Sequence, residues 1–154
     1  MKRFSRQAGF TLLELLVVMV IAGIMLGAVT LNAMPDQRQR MERDARRIAS
    51  LMQLARDEAI LRNAPVAFDA DPNAYRFLVR EDRSWNLLKD DMLRERSFEL
   101  APVGLGIEPQ GTQSGGVRVI FGREPVDKPF VLTLSSGDSA VHIRADGIGH
   151  FVVD

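Results

Sequence analysis

Residues 10–34 read FTLLELLVVMVIAGIMLGAVTLNAM. Within this stretch, Leu15 to Met34 is a run of twenty residues without a charge. As a helix it extends about 30 Å, the thickness of the hydrocarbon core of a bilayer. A soluble core helix rarely runs so far without a charged side chain, so the stretch predicts a transmembrane helix. Just before it stand Lys2, Arg3 and Arg6, with no acid among residues 1–9. Glu14 is the one charge inside the apolar segment, close to its start.

A secretory signal peptide also begins basic and turns apolar. Its apolar region is shorter, and an acid such as Glu14 is foreign to it. The best exit for a signal peptidase, Leu31-Asn32-Ala33, puts a large residue where a small one is wanted. A plain single-span anchor explains the length but leaves Gly9-Phe10 and Glu14 without a role. Thr11 and Glu14 have the spacing of a capping box, which explains the acid locally but not the basic leader or the glycine.

The run Gly9-Phe10-Thr11-Leu12-Leu13-Glu14-Leu15 resembles the cleavage motif of type IV prepilins and pseudopilins. The resemblance implies that a membrane prepilin peptidase cuts between Gly9 and Phe10 and methylates the new amino terminus of Phe10. Glu14 then matches the family's glutamate at the fifth mature position, which acts in assembly and register. The residue types suit these roles. Glycine has no Cβ to obstruct a protease near the backbone. The leader cations hold it at the cytoplasmic face. A carboxylate at the membrane edge is costly unless paired, and the freed amine of Phe10 is the available counter-charge.

Charge counting alone does not choose this orientation. Arg38, Arg40, Arg43, Arg46 and Arg47 follow the span, five cations against three before it. The orientation, leader inside and the rest outside, is what the resemblance implies. Gly23 and Gly27 form a Gly-x-x-x-Gly pair, a weak signal for close helix packing in lipid.

After Pro35 a helical pattern resumes. Met41, Ala45, Ile48, Met52, Ala55 and Ala59 form an apolar stripe at spacings of four and three, with Leu51, Leu54 and Leu61 widening it. The arginines lie off the stripe and read as a solvated face. The helix is predicted to end near Asn63, ahead of Pro65. From there the period becomes alternating, with strands predicted over 66–68, 75–80, 97–100, 117–121, 130–135, 140–144 and 148–153. Ser136-Gly137-Asp138 and Asp146-Gly147 are hairpin signals, the second as a two-residue turn, so the last three strands read as an antiparallel meander. The stretch 101–116 is rich in Gly, Pro, Gln and Ser and reads as a long mobile loop.

Four segments follow: a removed leader 1–9, a transmembrane helix 10–34, an amphipathic helix 35–63 continuing the span, and a β-rich globular part 64–154. The fold class is α+β, and the resemblance implies the pilin-like architecture, a long N-terminal transmembrane and amphipathic helix packed on antiparallel β-sheet. The β-rich half resembles the H-type minor pseudopilin (GspH/FimT-like) domain in strand order, length and Gly-rich ending. A major pseudopilin fits less well, because its calcium-loop pattern is not found.

Composition excludes several chemistries. The 154 residues carry 20 basic and 20 acidic side chains, a formal net charge of zero, so no nucleic-acid partner is expected. With no cysteine there is no disulfide, thiolate metal site or cysteine nucleophile. Asp69-x-Asp71-x-Asn73 begins like a calcium loop, but Ala74 and Arg80 stand where glycine and glutamate are needed. A turn at Asp71-Pro72-Asn73 is the better reading. His142 and His150 lie near serines and aspartates, yet nothing resembles a nucleophile elbow. Trp85, Phe68, Tyr75 and Phe77 are expected in the core. The sequence thus predicts no catalytic, cofactor-binding or metal site, and no cofactor.

The resemblance implies a structural minor pseudopilin of the type II secretion pseudopilus, in the bacterial inner membrane with its C-terminal part in the periplasm. Its implied partners are the prepilin peptidase, other major and minor pseudopilins, the inner-membrane secretion platform and the lipid bilayer. A minor pilin of a type IV pilus or DNA-uptake system is the alternative within the class. A single-span periplasmic binding module is the alternative outside it.

Overall fold

The computed structural model describes residues 11–32, 37–109, 115–124 and 128–154, with side chains of the first helix described as far as Met25. The Gly9-Phe10 junction, Pro35 and most of the second half of the 101–116 stretch lie outside the described residues. The chain forms two compact units, Met1–Pro35 and Asp36–Asp154.

In the first unit, helix α1 spans Leu12–Asn32. Thr11 caps it: its Oγ1 accepts the N–H of Glu14 at 3.3 Å, and its carbonyl accepts from Glu14 and Leu15. Every described side chain of α1 is exposed.

The second unit begins with helix α2, Gln37–Arg62. The six stripe residues, Met41 to Ala59, are all buried, as is Leu51, whereas Leu61 is exposed. Three of the six are alanines, which lets the helix approach the sheets closely. On the solvated side, Glu42 pairs with Arg38 and Arg46, and Glu58 with Arg62, each one turn away. The helix stops in a Schellman arrangement. Asn63 takes a left-handed conformation (φ 51°), the Ala64 N–H reaches the Ala59 carbonyl, and the Asn63 N–H reaches Ile60. At the other end, Gln37 Nε2 donates to Ser136 O and Oγ at 3.1 and 2.8 Å, tying the first turn to the sheet.

The strands are β1 (Val66–Ala70), β2 (Ala74–Glu81), β3 (Ser84–Leu87), β4 (Arg96–Ser97), β5 (Gly104–Glu108), β6 (Val117–Phe121), β7 (Phe130–Ser136), β8 (Ser139–Ala145) and β9 (Phe151–Val153). One antiparallel sheet has the order β3-β2-β1-β6, with β4 also on β2; the other has β5-β7-β8-β9. Alternation places Val66, Phe68, Tyr75, Phe77, Val119 and Phe121 from the first sheet in one core with Leu132, Leu134, Val141 and Ile143 from the second and the stripe of α2. The architecture is α+β, and β7-β8-β9 form the expected meander.

Several expectations need correction. Strand β5 lies inside the supposed loop 101–116. Gly104 marks close packing there: a Cβ on it would strike the Ser135 hydroxyl of the paired strand. Strand β3 was not expected, because its turn is Asp82-Arg83, both at positive φ (46° and 78°), a conformation arginine seldom adopts. The strand expected over 97–100 reduces to Arg96–Ser97. Strand β9 begins at Phe151, not at residue 148, because Asp146-Gly147 opens a five-residue turn instead of a two-residue one. The Asp146 N–H donates to the His150 carbonyl, and Gly147 and Gly149 both take positive φ (83° and 111°). Gly149 also lies against the Arg56 guanidinium: a Cβ at Gly149 would stand 2.5 Å from Arg56 Nη1. Trp85 is half-buried on the outside of its sheet and does not belong to the core.

Candidate functional site

The N-terminal site is built on the first turn of α1. Thr11 supplies the cap, so one half of the capping arrangement is made, and Glu14 is exposed within that turn. A carboxylate here also favours the helix N-terminus electrostatically. Gly9 and Phe10, the expected cleavage and methylation residues, lie outside the described residues. Among the described residues nothing lies within 4 Å of the place a side chain would take at Gly23. Among the described residues no helix is long and apolar enough to cross a membrane. The described side chains of α1, Leu12 to Met25, cover about 21 Å, against about 30 Å of hydrocarbon.

In the second unit the polar groups singled out in the sequence are used locally. Asp71 accepts the N–H groups of Asn73 and Ala74 at 2.8 and 3.1 Å, which is the turn and not a cation loop. Asp69 accepts from Arg76 on β2 and from Arg118 on β6. No group of three His, Asp or Glu among the described residues is arranged to hold a metal. His142 Nδ1 lies 3.0 Å from Thr133 Oγ1, and His150 Nδ1 lies 2.6 Å from Asp146 Oδ2. The two histidines therefore serve different strands and turns.

Two features were not foreseen. Asp44, on the buried side of α2, accepts the Glu99 N–H at 2.7 Å. Burial raises its pKa and the hydrogen bond from Glu99 opposes the rise. Beside it Arg43 pairs with Glu99 at 2.9 Å, so one segment of backbone is clamped to the helix from two positions. The second is the Arg118 guanidinium, 5.9 Å from the Trp85 ring centroid. Neither has a local sequence signal: the first joins helix α2 to a turn 55 residues further along the chain, and the second depends on strand order.

The Asp146 turn carries a pH prediction. Desolvation works to raise this carboxyl's pKa; bonds from the Ile148 N–H, the His150 ring and the His150 N–H outweigh it and hold the value at about 2, below the ordinary 3.8. A depressed acid stabilises the fold above its unfolded pKa and ceases to do so as pH falls through the folded value. The melting-temperature advantage of wild type over Asp146→Asn should therefore be full above pH 4 and shrink towards pH 2. A difference independent of pH over that window would contradict it.

Residues 44–149 match the family described as Type II transport protein GspH. The chain belongs to the GspH family. Residues 4–30 of this GspH-family chain also match the prokaryotic N-terminal methylation motif. It is 29% identical to the type II secretion system protein H of Aeromonas hydrophila, over 96% of this chain and 93% of that one. It is 32% identical to the protein of the same name from Pseudomonas aeruginosa, over 84% and 77%. The solved minor pseudopilin EpsH from the Type 2 Secretion System of Vibrio cholerae has the same fold, with a TM-score of 0.56 and 18% identity, covering 77% of this chain and 96% of that one. The GspH family is one of pseudopilins, structural in general and not enzymatic, which associate with other pseudopilins. Motif and family together mark a membrane-anchored periplasmic protein.

Proposed function

We propose that this GspH-family chain is a structural minor pseudopilin of a type II secretion pseudopilus, supporting export of folded proteins across the outer membrane. The observation that carries the reading is the order of two matches in one chain, a methylation motif over 4–30 and a GspH domain over 44–149. Residues 1–9 are a leader removed by a prepilin peptidase. Phe10 becomes the N-methylated first residue. Residues 10–34 cross the inner membrane once, 35–63 continue as an amphipathic helix, and 64–154 form the periplasmic domain. The exposed apolar side chains of α1 support this assignment, since lipid is the solvent that accepts them without a protein partner. The inner-membrane secretion platform and neighbouring pseudopilins are the contacts of the assembled state. The chain has no catalytic role in this scheme.

Glu14 sets the axial register by meeting the Phe10 amine of a neighbouring subunit, which neutralises two charges in a poorly hydrated place. Glu14→Gln tests this together with the parent reading. Mass spectrometry of the membrane form should find Phe10 methylated in both wild type and variant. Co-purification with other pseudopilins and export of a secreted enzyme should fall about tenfold in the variant, the effect of losing a contact of ~1.4 kcal/mol. Glutamine still serves the helix cap, so wild-type export by the variant would leave Glu14 with a capping role only. A chain that keeps Met1, or export unaffected by deleting the gene, would overturn the pseudopilin reading itself.

A further inference from the structure

Besides Ala74 and Ser97 at one corner, strand parity assigns nine side chains to the outer face of the first sheet. Register places Arg118, Asp69 and Arg76 in one cross-strand row, and Ile120, Ala67, Leu78 and Leu87 in the next. Arg80 and Trp85 pair in a third. The face thus has an apolar middle between cationic rows, three arginines against one aspartate. Among the described residues no helix or strand packs on it.

Its exposure is uneven. Ile120 and Leu87, at the two ends of the apolar row, are 53% and 50% exposed, whereas Ala67 and Leu78 between them are 0% and 9%. Trp85 and Arg118 account for the difference. They sit on β3 and β6, the outermost strands of the order β3-β2-β1-β6, with backbones roughly 14 Å apart at ordinary strand spacing. Yet the guanidinium lies 5.9 Å from the ring. The two side chains must therefore reach towards each other across β2 and β1, over Leu78 and Ala67. Indole and arginine form a strap on the apolar row and leave its two ends open. Arg118 is held in that pose by Asp69, and among the described residues the Arg80 guanidinium has no ion-pair partner.

We propose that this face is the docking surface for an acidic segment of another pseudopilus subunit; the inference rests on the pseudopilin reading above. Apolar side chains of the segment seat on Ile120 and Leu87 against the edges of Trp85. Its carboxylates pair with Arg80 and with Arg76 or Arg118. Tryptophan and arginine are the side chains that concentrate binding energy at protein interfaces. The charge excess selects an acidic partner over a basic one. Asp69, set between Arg76 and Arg118, opposes a continuous anionic surface such as a lipid leaflet. It tolerates a partner whose carboxylates are discrete and spaced around it.

The test uses the full chain in cells that build the secretion apparatus. A photo-crosslinking amino acid replaces Leu87 or Ile120 in turn, with exposed Leu61 and Val152 as controls. The expected result is an adduct from the two face positions to one other methylated subunit. Mass spectrometry should map it to a segment with at least two Asp or Glu, and the controls should lack it. Arg80→Glu should lower the yield about tenfold, Arg80→Lys should keep it, and an acid-to-arginine change in the mapped segment should restore it to Arg80→Glu. Adducts to lipid or to a second copy, a partner segment without acids, or a yield indifferent to Arg80→Glu would overturn the proposal. So would no adduct in cells with a methylated Phe10 and normal export, an outcome that spares the pseudopilin reading. Loss of both processing and export dependence in the unsubstituted chain would instead remove that reading and this one with it.

Discussion

Gly9→Val should leave the basic leader on the chain. Peptidase access to the Gly9-Phe10 bond requires close approach to the backbone, and a β-branched side chain both fills that space and restricts the local rotamers. Processing is expected to drop below about a hundredth of the wild-type rate, equivalent to ~2.7 kcal/mol of added barrier. The membrane fraction would then hold a precursor that begins at Met1 and carries no methyl group on Phe10. Insertion should be unaffected, because the apolar run from Leu15 to Met34 is unchanged. Export should fail with processing, since the charged leader remains where Phe10 needs a free amine. Normal conversion to a mature chain starting at Phe10 would show that the peptidase reads something other than this glycine.

Phe68→Ala should have the largest effect on the second unit. Phe68 is fully buried on β1, with ring centroids 5.9 Å from Tyr75 and 5.5 Å from Phe77, and Tyr75 lies 5.3 Å from Phe98. Removing the ring empties the middle of this cluster. Such substitutions cost about 3–5 kcal/mol, from a total stability of about 5–15 kcal/mol for a domain. Residues 36–154 include the whole of this core and none of the long uncharged run, so denaturant unfolding of that fragment is the appropriate measurement. It should unfold cooperatively, with mixed helix and sheet by circular dichroism, and lose most of its stability in the variant. A loss under about 1 kcal/mol would mean that the cluster is not packed as described.

What could be read from the sequence was whatever depends on near neighbours in the chain. The stripe of α2 was legible because its partners recur every three or four residues, and all six stripe residues are buried. Strands β6, β7 and β8 were legible for the same reason at period two. The leader, Gly9, Phe10 and Glu14 form a linear pattern, and the N-terminal methylation motif matches residues 4–30; the roles of those three residues remain part of the proposal. Strand β5 was hidden because glycine is a loop signal until a paired strand demands its missing side chain, as Ser135 does at Gly104. The Asp146-Gly147 signal gave the right place for a turn but not its length. That length is set by the Asp146 bonds to Ile148 and His150 and by Arg56 beside Gly149, which only the folded chain brings together. The meeting of Trp85 with Arg118 depends on the order of four strands and leaves no trace in either residue's surroundings in sequence.

The burial of α2 has a mechanical consequence. Its stripe is held under the sheets from Met41 to Ala59, a length of about 27 Å along the axis. A pull on the Gln37 end along that axis loads these contacts in shear, all at once, whereas a sideways pull would peel them one turn at a time. The Gln37 bonds to Ser136 and the Asp44 bond to Glu99 stand at the end where peeling would begin. The domain is therefore stiffest against tension directed along its own helix.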